Sequence, residues 1–558
     1  MSSSSAVVNV AARLAETARV NPEGLAVVMP RGRDKNGKRQ YATSTFQELE
    51  VDTNRIAAGL RAAGIRPGMK IVLMVKPSID FVALVFALFK TGAVTVLIDP
   101  GMGRKSLMQC LEEVDPEGFV AIPLVHALRI ALRKRFPRAK LNVTVGKRWF
   151  WGGATLAQLR QTNPAAFRPV DTTADDPAAI IFTTGSTGVP KGVLYRHGNF
   201  DHQVTEIRDF YQIKPGEIDL SGFPLFALFN TGMGVTTVIP DMDFTRPAEV
   251  NPPHIVEALH DWKCTQAFGS PALWNKVAPY CEQQGITFPS LKRVLSAGAP
   301  VPPHVLARIK QLLPADGDIH TPYGATEALP VASISATEVL GETAARSREG
   351  AGTCVGRHFP AIEWKIIHIT DGPITQIGQV QELSPGEIGE LIVSGPVVTR
   401  HYVTRLEANA LHKISDGERI WHRMGDVGYL DAAQRFWFCG RKAHRVQTKA
   451  TTLFTIPCEA VVNNHPRVFR SALVGIGAPG EQRPVLLVEA WPDQPVNSPE
   501  DERQLLAEVR ALAAAHPLTV EIHDFLHYPK FPVDIRHNAK IFRERLAVWA
   551  AGRLKSNK

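Results

Sequence analysis

The chain has 558 residues, of which 44% are hydrophobic and 21% are charged, as in ordinary globular proteins. This length exceeds what one core usually holds, so we expect two or more domains. The net charge of +9 is modest, and the basic residues are dispersed apart from short clusters such as 129–138. This pattern favours anionic small molecules or a weak affinity for anionic surfaces over a dedicated nucleic-acid groove, so we expect no nucleic-acid partner.

Cysteine spacing and hydropathy indicate the cellular compartment in which the protein works. The six cysteines show no paired spacing, which predicts reduced thiols in a cytoplasmic enzyme. Residues 2–5 are serines without a basic and apolar leader, so we expect no signal peptide. The most apolar run, 81–98, is interrupted by Lys90 and Gly92. It therefore predicts a buried helix followed by a strand, and no transmembrane segment.

Helical and strand patterns alternate through the first part of the chain. Ser44 and Gln47 form a candidate capping box at the start of a helix over 44–64. Further strands are predicted over 71–75, 94–98, 119–122 and 141–145, and further helices over 78–90, 107–114 and 125–136. Such alternation predicts an α/β fold with parallel or mixed sheets flanked by helices. Ligands of these folds lie beyond the carboxyl ends of the strands.

A buried strand at 178–182 runs into a loop of hydroxyl and glycine residues. The loop contains Thr183, Thr184, Gly185, Ser186, Thr187 and Gly188, and Lys191 follows it. Glycines let backbone N–H groups approach an anion, and Lys191 adds a point charge, so the stretch suits a polyphosphate. A plain surface loop is the alternative. The spacing is not that of a Walker loop, which disfavours a phosphoryl-transfer ATPase.

This loop resembles the phosphate-binding signature of the adenylate-forming superfamily, which includes acyl-CoA synthetases, adenylation domains of peptide synthetases and firefly luciferase. Motifs quoted below extend the resemblance over nearly the whole chain. The resemblance implies a large N-terminal domain over 1–440 with the ATP and acyl sites. It implies a small mobile α+β domain over 441–558 that carries a lysine used in adenylation. ATP and Mg²⁺ are the implied cofactors.

Two further motifs match the nucleotide site of the superfamily. The resemblance assigns adenine binding to Gly298, Ala299, Pro300, Tyr323, Gly324, Ala325 and Thr326. Tyr323 can lie flat on adenine, Gly324 permits close backbone approach, and Glu327 can hold Mg²⁺ through oxygen, with Thr184 as a second ligand. Residues 331–352 are rich in small and charged side chains, and we expect a mobile loop near the site.

The remaining nucleotide contacts lie downstream. Asp426 stands between Gly425 and Val427-Gly428, which predicts a turn, and the resemblance makes its carboxylate the acceptor of both ribose hydroxyls. Arg441 is implied to contact ribose and phosphates. Lys540 occupies the place of the lysine that reaches the α-phosphate and the substrate carboxylate during adenylation.

An apolar aromatic stretch at 223–230 has two interpretations. In the first, its side chains pack in the hydrophobic core. The superfamily resemblance favours an acyl pocket lined by Phe226, Ala227 and Phe229. Relatives often carry a His in this segment. Its replacement by Ala227 or a neighbour predicts an apolar pocket for an alkyl substrate. The following 232–234 stretch is consistent with close packing at a helix start.

Two departures from the superfamily pattern concern the step after adenylation, in which acyl-CoA synthetases form a thioester. Ala443 stands where relatives carry an acidic residue or Lys at the hinge, and Ala450 replaces a Gly of the pantetheine passage. Both disfavour thioester formation. The form of the segment 531–541, with Lys540 inside it, is similar to that of the olefin β-lactone synthetases.

The resemblance therefore implies an AMP-forming ligase of olefin biosynthesis that adenylates a long-chain 2-alkyl-3-hydroxyalkanoic acid and closes it to a β-lactone. It also implies a complex with other enzymes of the pathway. An acyl-CoA or acyl-AMP ligase is one alternative. A non-catalytic nucleotide-binding scaffold is another, although the joint presence of the charged site residues argues against it. The base for ring closure stays open among His422, His444 and His537.

Overall fold

The computed structural model describes residues 7–183, 189–533 and 540–556. Its α-helices within these ranges are Ala12–Val20, Phe46–Ala62, Ile79–Lys90, Arg104–Val114, Pro123–Ala131, Leu156–Leu159, His197–Tyr211, Phe226–Met233, Pro252–Asp261, Pro271–Gln284, Pro303–Leu312, Ala336–Glu338, Ala344–Arg348, Glu407–His412, Thr455–Val462, Pro499–Ala514 and Arg543–Ser556. Short 3₁₀ turns lie at Pro100–Met102, Arg133–Arg135, Pro247–Glu249, Ile377–Gln379 and Lys442–His444, and a π-helical turn lies at Val339–Thr343.

A seven-stranded sheet contains the strand that leads into the glycine-rich loop. Its spatial order is Ala154–Thr155, Leu141–Thr144, Gly118–Ala121, Lys70–Met74, Val94–Leu97, Pro177–Phe182 and Gly192–Arg196. All neighbours run parallel except the last pair, which is antiparallel. The carboxyl end of Pro177–Phe182 thus opens at one edge of the sheet, where parallel α/β folds bind ligands.

The apolar run 81–98 is a buried helix followed by a strand, as predicted. Lys90, at the end of helix Ile79–Lys90, is only 1% exposed. Its ammonium group donates to Glu50, Thr53 and Asn54 at 2.7, 2.7 and 2.8 Å. A buried cation is tolerated because these oxygens replace its water. Within the described ranges, no helix has both the length and the apolar character that crossing a membrane requires.

A nine-stranded sheet forms the second layer. Its spatial order is Arg357–His358, Ala328–Ser335, Asp318–Ala325, Arg293–Ser296, Gln266–Gly269, Ile218–Ser221, Thr236–Val238, Leu25–Arg33 and Arg39–Thr45. The inner strands are parallel, and antiparallel strands close both edges. The mixed sheets flanked by helices confirm the predicted α/β class.

Three antiparallel or mixed sheets follow. One contains Thr353–Cys354, Phe436–Arg441, Arg419–Leu430, Gly389–Ser394 and Glu363–Ile367 in this order, with Lys413–Asp416 paired to Arg419–Leu430. A ribbon pairs Val446–Gln447 with Thr452–Leu453, and a three-stranded sheet joins Val468–Ile476, Arg483–Ala490 and Asp524–His527. The last sheet has hydrophobic clusters of its own on both faces, as a small α+β unit requires. The domain boundary between 440 and 441 stays a prediction.

Several local predictions were wrong. The cap of the second helix lies one residue later than predicted, because Thr45 and Glu48, not Ser44 and Gln47, form the capping box. Residues 232–234 end helix Phe226–Met233 instead of starting one, and Gly234 adopts a φ of 73° at its C-cap. Residues 331–352 are not a loop throughout. They contain most of strand Ala328–Ser335 and three consecutive helical turns.

Candidate active site

One cavity of about 1930 Å³ lies where the sheets meet, and most of the predicted site residues that the structure describes line it. These are Thr183, Lys191, Phe226, Phe229, Gly298, Ala299, Pro300, Tyr323, Gly324, Ala325, Thr326, Glu327, Asp426, Arg441 and Lys540. Thr184, Gly185, Ser186, Thr187 and Gly188 lie outside the described residues, and so does the stretch 534–539 with His537. The cavity therefore gathers side chains separated by more than 350 positions of the chain.

Lys191 enters the cavity from the start of strand Gly192–Arg196. Its backbone N–H donates to Thr183 Oγ1 at 3.0 Å, and its carbonyl accepts from the Thr183 N–H at 3.0 Å. Thr183 and Lys191 are thus joined by two hydrogen bonds, one between backbone groups and one from backbone to side chain. Burial lowers the pKa of Lys191, while the nearby Glu327 carboxylate acts in the opposite direction.

Glu327 lies in the tight connection between strands Asp318–Ala325 and Ala328–Ser335. Its side chain is 8% exposed, and Oε1 accepts a 2.6 Å hydrogen bond from the Tyr402 hydroxyl. Its backbone carbonyl accepts from the N–H and the hydroxyl of Thr399 at 2.9 and 3.0 Å. Glu327 is therefore held at its backbone carbonyl and at one carboxylate oxygen.

Tyr402 is the centre of a charged cluster that the sequence did not reveal. Its ring lies 5.0 Å from the Lys191 Nζ and 5.5 Å from the Lys413 Nζ, and the His412 ring meets it edge-on at 6.0 Å. Cations over an aromatic face are attracted by its quadrupole. Burial lowers the pKa of Lys413 to about 7 and that of His412 to about 4. No local motif marks Tyr402, Lys413 or His412, since their roles follow from packing between distant segments.

Tyr323, Asp426 and Arg441 meet in the wall of the same cavity. Asp426 is not in a turn, as we predicted, but inside strand Arg419–Leu430, where it pairs across the sheet with Arg441. An Arg441 Nη1 lies 2.8 Å from Asp426 Oδ1, and the Tyr323 hydroxyl donates to Oδ2. Burial raises the pKa of Asp426, and the Arg441 guanidinium opposes this shift.

Gly324 has a structural reason to be glycine. A Cβ there would lie 2.6 Å from the Ala328 carbonyl oxygen, which is closer than any side chain tolerates. The close approach that we predicted for a ligand is thus already required within the hairpin. Gly298 needs its freedom for a φ of +96° at the turn after strand Arg293–Ser296.

The apolar wall of the cavity is made by helix Phe226–Met233 and its surroundings. Phe226 and Phe229, three residues apart, face the cavity together, and Phe226 stacks on Phe268 with ring centroids 4.2 Å apart. Ala227 does not line this cavity, because its position on the helix turns it into the core, where it is 3% exposed. The acyl role of the two phenylalanines stays a prediction.

Lys540, Ala443 and His444, from the C-terminal part of the chain, also line this cavity. Ala443 lies in the 3₁₀ turn Lys442–His444, directly after Arg441. His444 Nε2 lies 3.2 Å from Glu544 Oε1, and burial lowers its pKa. Ala450 lies apart from the cavity in an exposed turn, where its N–H donates to Thr448 Oγ1 at 3.2 Å.

Comparison with known proteins identifies the group to which this geometry belongs. Residues 14–403 match the family model described as AMP-binding enzyme. The chain belongs to the AMP-binding enzyme family. It is therefore an adenylate-forming enzyme, and the resemblance drawn from its phosphate loop is confirmed.

Relatives within this family indicate which type of adenylate-forming enzyme the chain resembles. An olefin β-lactone synthetase from Xanthomonas campestris pv. campestris is 49% identical over 550 residues, which cover 97% of each chain. One from Stenotrophomonas maltophilia is 48% identical over 554 residues, covering 98% of each chain. Among solved structures, the amide bond synthetase McbA from Marinactinospora thermotolerans matches 97% of this chain and 99% of its own, with a TM-score of 0.77 and 21% identity. The predicted resemblance to the olefin β-lactone synthetases is confirmed, and the solved structure supports the fold.

Members of the AMP-binding enzyme family use ATP, and the cavity offers one carboxylate suited to Mg²⁺. Among the described residues, no group of three or more His, Cys, Asp or Glu side chains could hold a metal ion by itself. Mg²⁺ commonly takes only one or two carboxylates, with substrate phosphates and waters completing its shell. Glu327, buried and oriented by Tyr402, fits this mode of binding.

Proposed function

We propose that this enzyme is an ATP-dependent β-lactone synthetase. It adenylates a long-chain 2-alkyl-3-hydroxyalkanoic acid with release of pyrophosphate, and the 3-hydroxyl then displaces AMP to close a four-membered lactone. The observation that carries the proposal is a single cavity that holds Lys191, Glu327 and Lys540 beside an apolar wall. The near full-length relatives named olefin β-lactone synthetase support the same reaction.

Adenylation brings two anions together, so its barrier is largely electrostatic. The carboxylate oxygen attacks the α-phosphorus, and pyrophosphate leaves with the electron pair of the broken P–O bond. Lys191 and Lys540 would offset the growing charge, since donors already positioned where charge develops need no reorganisation. Glu327 would hold Mg²⁺, which supplies neutralisation of the phosphate charge when bound.

Ring closure needs no third substrate. The 3-hydroxyl oxygen attacks the activated carbonyl carbon, AMP leaves, and the hydroxyl proton passes to a base. Tethering raises the effective concentration of a reacting group to about 10⁵ M or more in well-aligned cases, which helps to offset the strain of the ring. Among the histidines considered from the sequence, His422 and His444 line the cavity. Burial lowers the pKa of both, which keeps their rings neutral and makes them weaker bases than an exposed imidazole.

The substrate and setting follow from the same proposal. Phe226 and Phe229 would contact the alkyl chains, and Tyr323, Asp426 and Arg441 would bind the adenosine. We also propose that the enzyme works in the cytoplasm and in complex with other enzymes of olefin synthesis. The position of Ala443 in the cavity wall, without a charged side chain, supports a cycle that omits the thioester step.

Mass spectrometry of products tests the function. The purified enzyme is incubated with a 2-alkyl-3-hydroxyalkanoic acid and MgATP, with and without coenzyme A. We expect a product lighter than the acid by one water, together with AMP and pyrophosphate, in both reactions. A product formed only with coenzyme A would instead establish an acyl-CoA ligase. Release of ADP and inorganic phosphate would rule out adenylation.

A further inference from the structure

Basic residues occur throughout this protein, but their excess over acidic residues lies in one segment. Residues 118–170 contain ten Lys or Arg residues and no Asp or Glu. Subtracting these ten from the 63 basic residues of the chain leaves 53 basic against 54 acidic residues elsewhere. The whole net charge of +9 thus comes from 53 consecutive residues, whereas the rest of the chain is close to neutral.

The same segment exposes large apolar side chains. Phe150 and Leu124 are 77% and 70% exposed, and Trp149 and Leu128 are 53% and 50% exposed. Single exposed apolar residues are common on protein surfaces, but four in one stretch require an explanation. Leu124 and Leu128 lie four residues apart on helix Pro123–Ala131, so they share one face of that helix.

Trp151 joins the two halves of this surface. It is buried, its Nε1 donates to Thr144 Oγ1 at 2.9 Å, and its ring lies 5.7 Å from that of His126 on the helix. The rings of Trp149 and Phe150 lie 5.3 and 5.2 Å from Trp151. The loop is therefore anchored beside the helix while its two outer aromatic side chains face solvent. We call the exposed residues 124, 128, 149 and 150 with their flanking cations the basic aromatic face.

The cations flank the apolar residues on both sides. Arg133 and Lys134 follow the helix, and Lys147 precedes the aromatic loop. All three are exposed, and none forms an ion pair with any residue in the ranges 7–183, 189–533 and 540–556. By contrast, Arg135 and Arg138 in the same segment are paired with acidic residues. Three charges thus remain for an external anion.

We propose that the basic aromatic face binds the surface of an anionic lipid bilayer. Trp and Phe side chains enter the boundary between headgroups and acyl chains, and Lys and Arg beside them bind anionic headgroups. A nucleic acid would leave the exposed Leu124 and Leu128 without a role. An acidic protein is the other class of occupant, and the test separates it from lipid.

The helix that carries this face also borders the active-site cavity. Ile122 and Val125 line the cavity, whereas Leu124 and Leu128 point to solvent. One helix thus separates the bound bilayer from the site. If the substrate is the long-chain acid of the proposed function, on which this step rests, docking shortens its path from lipid to the cavity. Bilayer binding itself does not depend on that function.

Vesicle binding tests the proposal without reference to catalysis. The full-length protein is sedimented with vesicles of phosphatidylcholine alone and of phosphatidylcholine mixed with phosphatidylglycerol. We expect binding to the anionic vesicles only. Each basic residue near an anionic surface contributes about fivefold in affinity, so Arg133→Glu with Lys134→Glu should weaken binding by roughly 25-fold or more. Trp149→Ser with Phe150→Ser should weaken it by roughly tenfold or more.

Control variants change one exposed apolar residue and two exposed lysines outside the basic aromatic face. Val548 is 76% exposed on helix Arg543–Ser556, and Lys35 and Lys38 are exposed between the strands Leu25–Arg33 and Arg39–Thr45. Val548→Ser and the double change Lys35→Glu, Lys38→Glu should bind vesicles as the parent protein does. Circular dichroism melting confirms that each variant is folded. Pyrophosphate exchange with a detergent-dispersed acid should stay at the parent level in all of them.

Two results would overturn the proposal. In the first, the parent protein does not bind anionic vesicles, whether or not it binds an acidic protein. In the second, the variants of the basic aromatic face bind anionic vesicles as tightly as the parent protein does. A second readout is quenching of tryptophan fluorescence by brominated acyl chains, which Trp149→Phe should reduce. If the vesicles bind as expected but no pyrophosphate exchange into ATP occurs in any variant, the proposed reaction is refuted and the proposed lipid-binding surface is not.

Discussion

Asp426 and Arg441 are cross-strand partners whose charged groups meet at the cavity wall, 2.8 Å apart. The side chain of Asp426 is only 4% exposed, whereas that of Arg441 is 37% exposed. The Tyr323 hydroxyl donates to the second oxygen of the same carboxylate. An aromatic ring, a carboxylate and a guanidinium are thus fixed relative to one another before any nucleotide enters. Preorganisation of this kind removes part of the entropic cost of binding.

Replacement of Asp426 by Asn should weaken ATP binding by roughly 10- to 100-fold. Hydrogen bonds from ribose hydroxyls to a charged group contribute about 1.5–3 kcal/mol, and the amide accepts with one oxygen only. Isothermal titration with a non-hydrolysable ATP analogue measures the change. Asp371→Asn is the matched control, because that carboxylate also pairs with an arginine, Arg445, at an exposed site. Equal affinities of Asp426→Asn and the parent protein would remove the ribose assignment.

Replacement of Lys540 by Ala should slow adenylation by roughly a hundredfold or more. One donor aimed at developing charge is typically worth about 3 kcal/mol in the transition state. Exchange of labelled pyrophosphate into ATP reports this step directly. Lys530→Ala, at an exposed position ten residues earlier, serves as the control and should leave the rate unchanged. An exchange rate within a factor of about three of the parent would show that this lysine has no such role.

The sequence predicted the parts of the site that lie in contiguous motifs. Lys191, Glu327, Asp426 and Arg441 could be found because each lies in a short contiguous motif with a glycine close by in the sequence. The conformation around Asp426 could not, since glycine neighbours favour a turn and the long strand Arg419–Leu430 is imposed by pairing on both sides. Tyr402 has no local signal at all, because its importance comes from distant residues packed around one ring.

Removal of the Tyr402 hydroxyl should weaken the apparent affinity for Mg²⁺ by roughly tenfold. Tyr402→Phe keeps the ring between Lys191 and Lys413 but loses the 2.6 Å hydrogen bond that orients Glu327. A hydrogen bond to a charged group contributes about 1.5–3 kcal/mol, and the freed carboxylate can rotate away from the metal. A Mg²⁺ titration of pyrophosphate exchange measures the effect.

A hydroxyl–carboxylate pair elsewhere in the chain provides the control for Tyr402. Tyr41 donates to Asp261 at 2.7 Å and does not line the cavity. Tyr41→Phe should therefore leave the Mg²⁺ dependence unchanged. The orienting role of Tyr402 is refuted if its Phe variant requires no more Mg²⁺ than the parent enzyme does.

Asp219 should make the stability of the protein depend on pH between about 4 and 6. Its carboxyl is fully buried, accepts from Asn230 at 2.7 Å and from Ser221, and faces Arg293. Burial raises its pKa from the usual 3.8 to about 6, although the hydrogen bonds and Arg293 pull it down. The folded state therefore holds this proton more tightly than the unfolded chain does. Its contribution to stability is complete below pH 4 and is lost as the pH rises through 6.

The variant Asp219→Asn isolates this contribution. At about 1.4 kcal/mol per pKa unit, and because part of the titration lies outside this window, the loss of unfolding free energy between pH 4 and 6.5 should be about 2 kcal/mol smaller in the variant than in the parent. Urea unfolding at a series of pH values measures the difference. The amide keeps the shape of the protonated carboxyl, so Asn230 and Ser221 retain a partner oxygen. Parallel pH profiles for the two proteins would mean that Asp219 is already ionised at pH 4.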